Sequence, residues 1–132
     1  MSASTTAHDL AVLAAIAASD KFATDIVALD VSEHMPLTDV FVMATGRSER
    51  MVQSIANEVD DRLTEAGYSS LRKEGHTEGR WILLDFGHII VHVFHEEERL
   101  FYQLERLWRD CPVVELPTSE EQVRNPEPEL SL

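Results

Sequence analysis

Residues 80–94 of this 132-residue chain, RWILLDFGHIIVHVF, carry its clearest structural pattern. Two apolar runs flank Gly87, and their β-branched and aromatic residues are typical of β-strands. With Phe86-Gly87 as a two-residue turn, the runs are predicted to form an antiparallel hairpin. A hairpin of this apolar content needs other elements to cover it, so it predicts a sheet inside a globular domain.

The two faces of this hairpin differ in character because side chains alternate along each strand. One face is aliphatic and is predicted to cover the core; it comprises Ile82, Leu84, Ile89, Val91 and Val93. The other face mixes aromatic, acidic and imidazole side chains in cross-strand pairs. The predicted pairs are Asp85 with His88, Leu83 with Ile90 and Trp81 with His92. Such a face suits either a protein interface or a surface that a helix covers, with an Asp–His hydrogen bond.

The order of the other elements predicts a single α/β domain, α+β-like, with a mixed β-sheet flanked by helices. Predicted helices cover residues 6–21, 48–66 and 96–110, and predicted strands cover 24–31, 39–45, 70–74, 80–86 and 88–94. Thr6 and Ser48 are expected near helix starts, and Gly67 at a helix end. After Pro112 little is left to pack. The domain is therefore assigned to residues 1–114, and residues 115–132 to a disordered acidic tail.

Composition limits the classes of partner. The chain has 24 acidic residues against 11 Lys and Arg, a net charge of −13. Direct, sequence-specific binding of nucleic acid is not expected, because such binding depends on neutralising phosphates, whereas a basic protein partner is favoured. A lone cysteine, a start without Lys or Arg and the lack of a run of ~20 apolar residues predict a cytoplasmic protein without membrane contact.

The sequence argues against two functions that residues 85–95 suggest, which are phosphoryl transfer of the kinase type and metal binding. Asp85-Phe86-Gly87 matches the magnesium-holding tripeptide of protein kinases, but the Gly-rich loop and catalytic loop of kinases are missing. His88 and His92 would lie ~13 Å apart along a strand, and His95 would point to the opposite face. One metal ion cannot bridge that separation, so neither a metal nor a cofactor is expected.

An enzyme of the nucleotidyltransferase class is the alternative hypothesis. Gly46 and Ser48 stand at a helix start, where such enzymes hold an anion, and Asp85 could supply a magnesium ligand. The second carboxylate that this chemistry uses is missing, because Gly87 occupies its place. The sequence therefore favours a protein that is not an enzyme.

Five blocks of the chain, within about residues 8–114, resemble the ribosomal silencing factors, the RsfS or Iojap family. They are TDIVALDVS (24–32), TDVFVMATGRSERMVQSIA (38–56), Glu74-Gly75, residues 80–94 and RLFYQLERLW (99–108). DCPVVELP further resembles actinobacterial members. The resemblance implies a nucleotidyltransferase-like fold without catalytic acids. It also implies a protein that binds the large ribosomal subunit through its fourteenth protein and blocks joining of the small subunit, which lowers translation when nutrients are scarce.

The resemblance also implies which residues contact the partner. The motif positions are Glu74, Trp81, Asp85, His92, Arg99 and Tyr102. On the mixed hairpin face Trp81 is expected to anchor the contact, with Glu74 and Asp85 pairing with basic side chains. Arg99 and Tyr102 either join this interface or brace the hairpin from inside. Val40 and His88 depart from the family pattern, and free members of the family are expected to form homodimers.

Overall fold

A computed structural model describes residues 4–102, 106 and 108–116, with the backbone alone for residues 100–102. Within this part the chain forms three helices and five strands. In chain order they are α1 (Thr5–Asp20), β1 (Thr24–Asp30), β2 (Val40–Gly46), α2 (Glu49–Glu65), β3 (Arg72–Glu74), β4 (Trp81–Asp85), β5 (Ile89–His95) and α3 (Glu96–Tyr102). No helix among the described residues is both long enough and apolar enough to cross a bilayer.

The five strands form one mixed sheet in the order β1-β2-β5-β4-β3. β2 and β5 run parallel, and every other neighbouring pair is antiparallel. The two parallel strands are buried along their whole length. Both faces of the sheet must therefore be covered, as nearly continuous apolar strands require. The predicted mixed sheet with flanking helices is confirmed.

Helices α1 and α2 cover one face of the sheet, and α3 lies against β2 and β5 on the other. The aliphatic hairpin face predicted from the sequence is buried under α1 and α2: Ile82, Leu84, Ile89, Val91 and Val93 are each at most 1% exposed. The second face packs around Phe41, Met43 and Phe94, joined by Cys111. The domain thus has two cores separated by the sheet.

The ends of α2 follow the sequence signals, whereas the start of α1 does not. Ser48 caps α2 by accepting a hydrogen bond from the Met51 N–H at 3.1 Å, and Gly67 follows its end with a φ of 99°. For α1 the cap is Ser4, whose hydroxyl accepts from the Ala7 N–H. Thr6, the predicted start, already lies inside the helix. A serine two residues earlier offers the same capping oxygen, so the local signal could not separate the two positions.

The β4–β5 hairpin is present, but its register is two residues away from the predicted one. The observed pairs are Trp81 with Phe94, Leu83 with His92 and Asp85 with Ile90. The predicted turn at Phe86-Gly87 is therefore wrong: the Phe86 N–H donates to the Ile89 carbonyl at 2.9 Å, which places the turn one residue further along, at Gly87-His88. Gly87 has a φ of 87° and its N–H donates to the Asp85 carboxylate at 2.9 Å, which stabilises this turn with His88 exposed. A shift of two residues leaves every side chain on its predicted face.

The segment after the last helix packs against β1, contrary to the expectation that little after Pro112 would pack. The Asp30 N–H donates to the Pro112 carbonyl and the Val114 N–H to the Ala28 carbonyl, both at 2.8 Å. Val114 and Leu116 are partly buried against the α1–α2 core. These contacts cover the free edge of β1, which the composition of the segment did not reveal. Residues 117–132 of the predicted tail lie outside the described residues.

Gly75 determines how β3 approaches β4, and it yields a stability prediction. A Cβ at Gly75 would lie 2.1 Å from the Trp81 carbonyl oxygen, whereas one at Gly67 would meet nothing within 4 Å. Both glycines have positive φ, so alanine costs about 1 kcal/mol at each, and at Gly75 the clash adds about 1–3 kcal/mol. Urea unfolding should show Gly75→Ala to be clearly less stable than Gly67→Ala. Equal losses for the two variants would contradict this account of the β3–β4 contact.

Candidate functional site

The structure places four of the six predicted contact residues on the sheet face that α3 partly covers. They are Glu74, Trp81, Asp85 and His92. Arg99 reaches the same face from α3. The side chain of Tyr102 lies outside the described residues. This face divides into an exposed part over β3 and β4 and a covered part over β5 and β2.

The exposed part is a strip of side chains that we call the edge strip: Arg72, Glu74, Leu83 and Asp85. Arg72 pairs with Asp85 and Glu74 with Leu83 across the β3–β4 ladder, so the four share a face. The side chain of Glu74 is 58% exposed and that of Asp85 is 23% exposed. Leu83 lies half-buried between them and the second core. The edge strip therefore offers carboxylates beside an apolar side chain at an accessible sheet edge.

Arg72 links the two carboxylates of the edge strip. Its Nε lies 3.3 Å from a Glu74 oxygen and its Nη2 lies 3.9 Å from an Asp85 oxygen. Ion pairs this exposed contribute about 0–1 kcal/mol, because water and salt screen them. A basic side chain of a partner can therefore take over either carboxylate at little cost. Sequence reasoning missed Arg72, although its alternation with Glu74 on a short strand is a signal for a shared face.

The covered part is an aromatic cluster: Phe41, Trp81, His92, Phe94 and Trp108. The Trp81 and Phe94 rings lie 5.0 Å apart, and Phe41 makes edge contacts at 5.1 Å with both His92 and Trp108. His92 is 6% exposed and Phe94 is fully buried. The Trp81 indole N–H donates to His92 Nδ1 at 3.2 Å. Trp81 itself is half-buried, so the cluster reaches the surface through this side chain.

Arg99 braces the second core from inside. It is 8% exposed, its Nη1 donates to the Thr45 hydroxyl at 2.7 Å, and its guanidinium lies 5.8 Å from the centre of the Phe94 ring. A buried cation with these partners is placed to hold α3 on the sheet. Of the two roles left open for Arg99, the geometry favours bracing.

The residues of the nucleotidyltransferase hypothesis are not brought together. In the ladder Gly46 is level with His95, whereas Asp85 is level with Ile90. These two levels are roughly 16 Å apart along β5. The Ser48 hydroxyl is engaged as the cap of α2. Asp85 therefore cannot act on a group held at the start of α2.

The three histidines lie in different surroundings. His88 is exposed in the hairpin turn, and His92 is buried among the rings of the aromatic cluster. His95 is buried at the end of β5, where its Nδ1 accepts from the Glu97 N–H at 3.1 Å. Among the described residues no three His, Cys, Asp or Glu side chains form a group that could hold a metal ion.

Comparison with known proteins decides the family. A family model described as "Ribosomal silencing factor during starvation" (RsfS) matches residues 4–131. The chain belongs to this family. Ribosomal silencing factor RsfS of Bacillus subtilis is 44% identical over 104 residues, which are 79% of this chain and 88% of that protein. The chloroplastic Iojap protein of Zea mays is 35% identical over 107 residues, 81% of this chain and 46% of that protein.

Solved structures agree with this assignment. A crystal structure of a Chromobacterium violaceum protein matches with a TM-score of 0.74 and 39% identity, covering 76% of this chain and 83% of that one. A Bacillus halodurans crystal structure matches with a TM-score of 0.69 and 42% identity, covering 82% and 95%. The silencing factor thus shares both sequence and fold with these relatives.

Next to the candidate site, Arg80 ties three elements of the silencing factor together. Its guanidinium contacts Glu49 at the start of α2 and Glu97 and Glu98 at the start of α3, at 2.9–3.1 Å. The hydrogen bond from Arg80 lowers the pKa of Glu97. Sequence reasoning missed this arginine. The ion pairs hold both helix ends beside Trp81, the next residue in the chain.

Burial of His92 makes the stability of the silencing factor depend on pH. Burial, with a smaller contribution from the charge of Arg99, lowers the pKa of His92 to about 4. The unfolded imidazole binds its proton near pH 6.5, so between these values the unfolded state holds more protons. Stability therefore falls as pH falls through this window. We expect a His92-dependent loss of about 2 kcal/mol from pH 7 to pH 5.

Urea unfolding of His92→Gln and of His88→Gln at both pH values tests this. His92→Gln should lose less stability between pH 7 and pH 5 than the unmutated protein does, because Gln does not titrate. His88→Gln, the same change at an exposed position, should behave like the unmutated protein. An identical pH dependence in all three proteins would contradict the assignment.

Proposed function

We propose that this silencing factor binds the large ribosomal subunit through its fourteenth protein and sterically blocks joining of the small subunit. It thereby lowers translation when nutrients are scarce. The observation that carries the proposal is the family match over residues 4–131. It acts as a binding protein in the cytoplasm and uses neither a catalytic site nor a cofactor.

The edge strip is the docking surface that we propose on this chain. It combines an exposed acid, Glu74, and a half-buried acid, Asp85, with the apolar Leu83 between them. Trp81 lies farther along β4 on the same face and supplies an aromatic anchor. This combination of an apolar centre and charged margins is usual for protein interfaces. His92 and Arg99 contribute by supporting this surface from below.

Charge favours a protein partner over ribosomal RNA. The chain carries a net charge of −13, which opposes contact with phosphates and attracts a basic protein. A ribosomal protein embedded in RNA is expected to be basic, so Glu74 and Asp85 can pair with its Lys or Arg side chains. In the free state we propose a homodimer, which competes with the ribosome if it uses the same strip.

Reversing one exposed charge tests this surface. Glu74→Lys replaces an acid by a base on the edge strip and should weaken binding to isolated large subunits about tenfold or more. Asp9→Lys makes the same change of charge on α1, where the side chain is 74% exposed, more than that of Glu74. Co-sedimentation with purified large subunits at several salt concentrations measures both variants.

The control variant distinguishes an effect of the edge strip on binding from an effect of the net charge alone. Asp9→Lys should bind like the unmutated protein, with at most a small change in salt dependence. If both variants bind normally, the docking surface lies elsewhere. If the unmutated protein does not co-sediment with large subunits at all, the proposed function itself is wrong.

A further inference from the structure

The hydrogen bond between Trp81 and His92 fixes the tautomer of the histidine. An indole N–H can only donate, so His92 Nδ1, 3.2 Å away, must be the unprotonated acceptor. In the neutral ring the proton then sits on Nε2. Burial keeps the ring neutral near pH 7, since it lowers the pKa to about 4. Trp81 is therefore bonded to one defined state of its neighbour.

The other nitrogen of His92, Nε2, carries the proton and has no acceptor among the residues that the structure describes. This nitrogen is also buried. An orphaned buried N–H costs about 1–3 kcal/mol. A hydrocarbon ring at position 92 would pack between Phe41 and Phe94 without that cost. What the imidazole adds over such a ring is the acceptor that it presents to Trp81.

That acceptor selects one orientation of the indole. The torsion that turns an indole about its bond to Cβ has broad, roughly two-fold preferences, so the torsion by itself does not select one orientation. The contact with Phe94, at 5.0 Å and 37°, is made by ring faces and does not depend on where the N–H lies. A hydrogen bond does depend on it. His92 thus determines which edge of Trp81 faces the surface beside the edge strip.

We propose that His92 is a positioning residue for docking: its Nδ1 holds the Trp81 indole in the orientation that the partner protein recognises. The inference rests on the proposed function, in which Trp81 anchors the contact with the large subunit. It assigns His92 a role exerted through Trp81, since an imidazole that is only 6% exposed offers a partner little surface of its own. An indole fixed before docking loses less side-chain entropy on binding.

Two substitutions of His92 distinguish the role of its Nδ1 acceptor from the role of its aromatic ring. His92→Phe keeps an aromatic ring, removes the acceptor and also removes the orphaned N–H, so the fold is expected to survive. His92→Asn keeps an acceptor, because an Asn side-chain oxygen occupies nearly the place of histidine Nδ1. The matched partner variant is Trp81→Phe, which keeps an aromatic ring and removes the donor.

Proton–nitrogen NMR of the indole N–H groups reads the orientation directly. Trp81→Phe identifies the Trp81 signal, and the signal of Trp108 serves as an internal reference. In His92→Phe the Trp81 signal should shift and its hydrogen exchange should accelerate, and in His92→Asn the protection should be largely restored. An unchanged Trp81 signal in His92→Phe would overturn the inference, whatever the binding results.

Co-sedimentation with large subunits supplies the second readout, arranged as a double-mutant cycle. His92→Phe should weaken binding about tenfold in the unmutated background and less than about twofold in the Trp81→Phe background, because the bond is already absent there. Equal losses in both backgrounds would show that His92 acts independently of Trp81 and would overturn the inference. If the unmutated protein does not bind while the indole signal still shifts, the proposed function fails and the docking role of His92 fails with it.

Discussion

The parallel pairing of β2 with β5 at the centre of the sheet determines where the helices must lie. Both strands are buried along their whole length, so the sheet needs cover on both faces. On one side α1 and α2 supply it with an aliphatic core. On the other side α3 and the region of Trp108 cover β5 and β2. β3 and β4 lie beyond this cover, and their face stays open at the edge.

Because α3 covers only part of this face, the residues that stabilise the site differ from those that we propose to contact the partner. Where α3 lies, aromatic rings and Arg99 fill the second core, and polar groups there engage one another. Where α3 does not reach, Glu74 and Asp85 stay accessible beside Leu83. Trp81 belongs to both regions, since it packs on Phe94 and reaches the surface. A partner that binds at the edge strip would therefore contact Trp81, a side chain that the second core holds in place.

Local patterns predicted the elements and faces correctly, because each depends on neighbours in the chain. Ser48 and Gly67 mark the ends of α2, and alternation along 80–94 assigned the two hairpin faces. The register was wrong because a side chain bonds the loop: the Asp85 carboxylate accepts from the Gly87 N–H. An Asp side chain that accepts from the N–H two residues on is a local turn signal that the hairpin prediction did not use, yet the two-residue shift preserved the faces.

Contacts between segments that are distant in the chain were harder to predict from the sequence. Nothing near His92 in the chain shows that Phe41 from β2 packs on it and helps to bury it, and the motif alone grouped it with exposed residues such as Glu74. The packing of Pro112–Val114 on β1 likewise depends on backbone groups rather than on side-chain character. Arg80 was missed because its three acidic partners come from two helices distant in sequence. Each of these contacts forms only once the sheet has brought distant segments together.

The proposed function requires that the protein occupy the large subunit before the small one arrives. The most direct measurement is a subunit-joining assay by sedimentation, with the protein added to large subunits before small ones. The account predicts that joined ribosomes decrease as the protein is added and that free subunits accumulate in proportion. Joining that remains unchanged at a saturating concentration of the protein would contradict it.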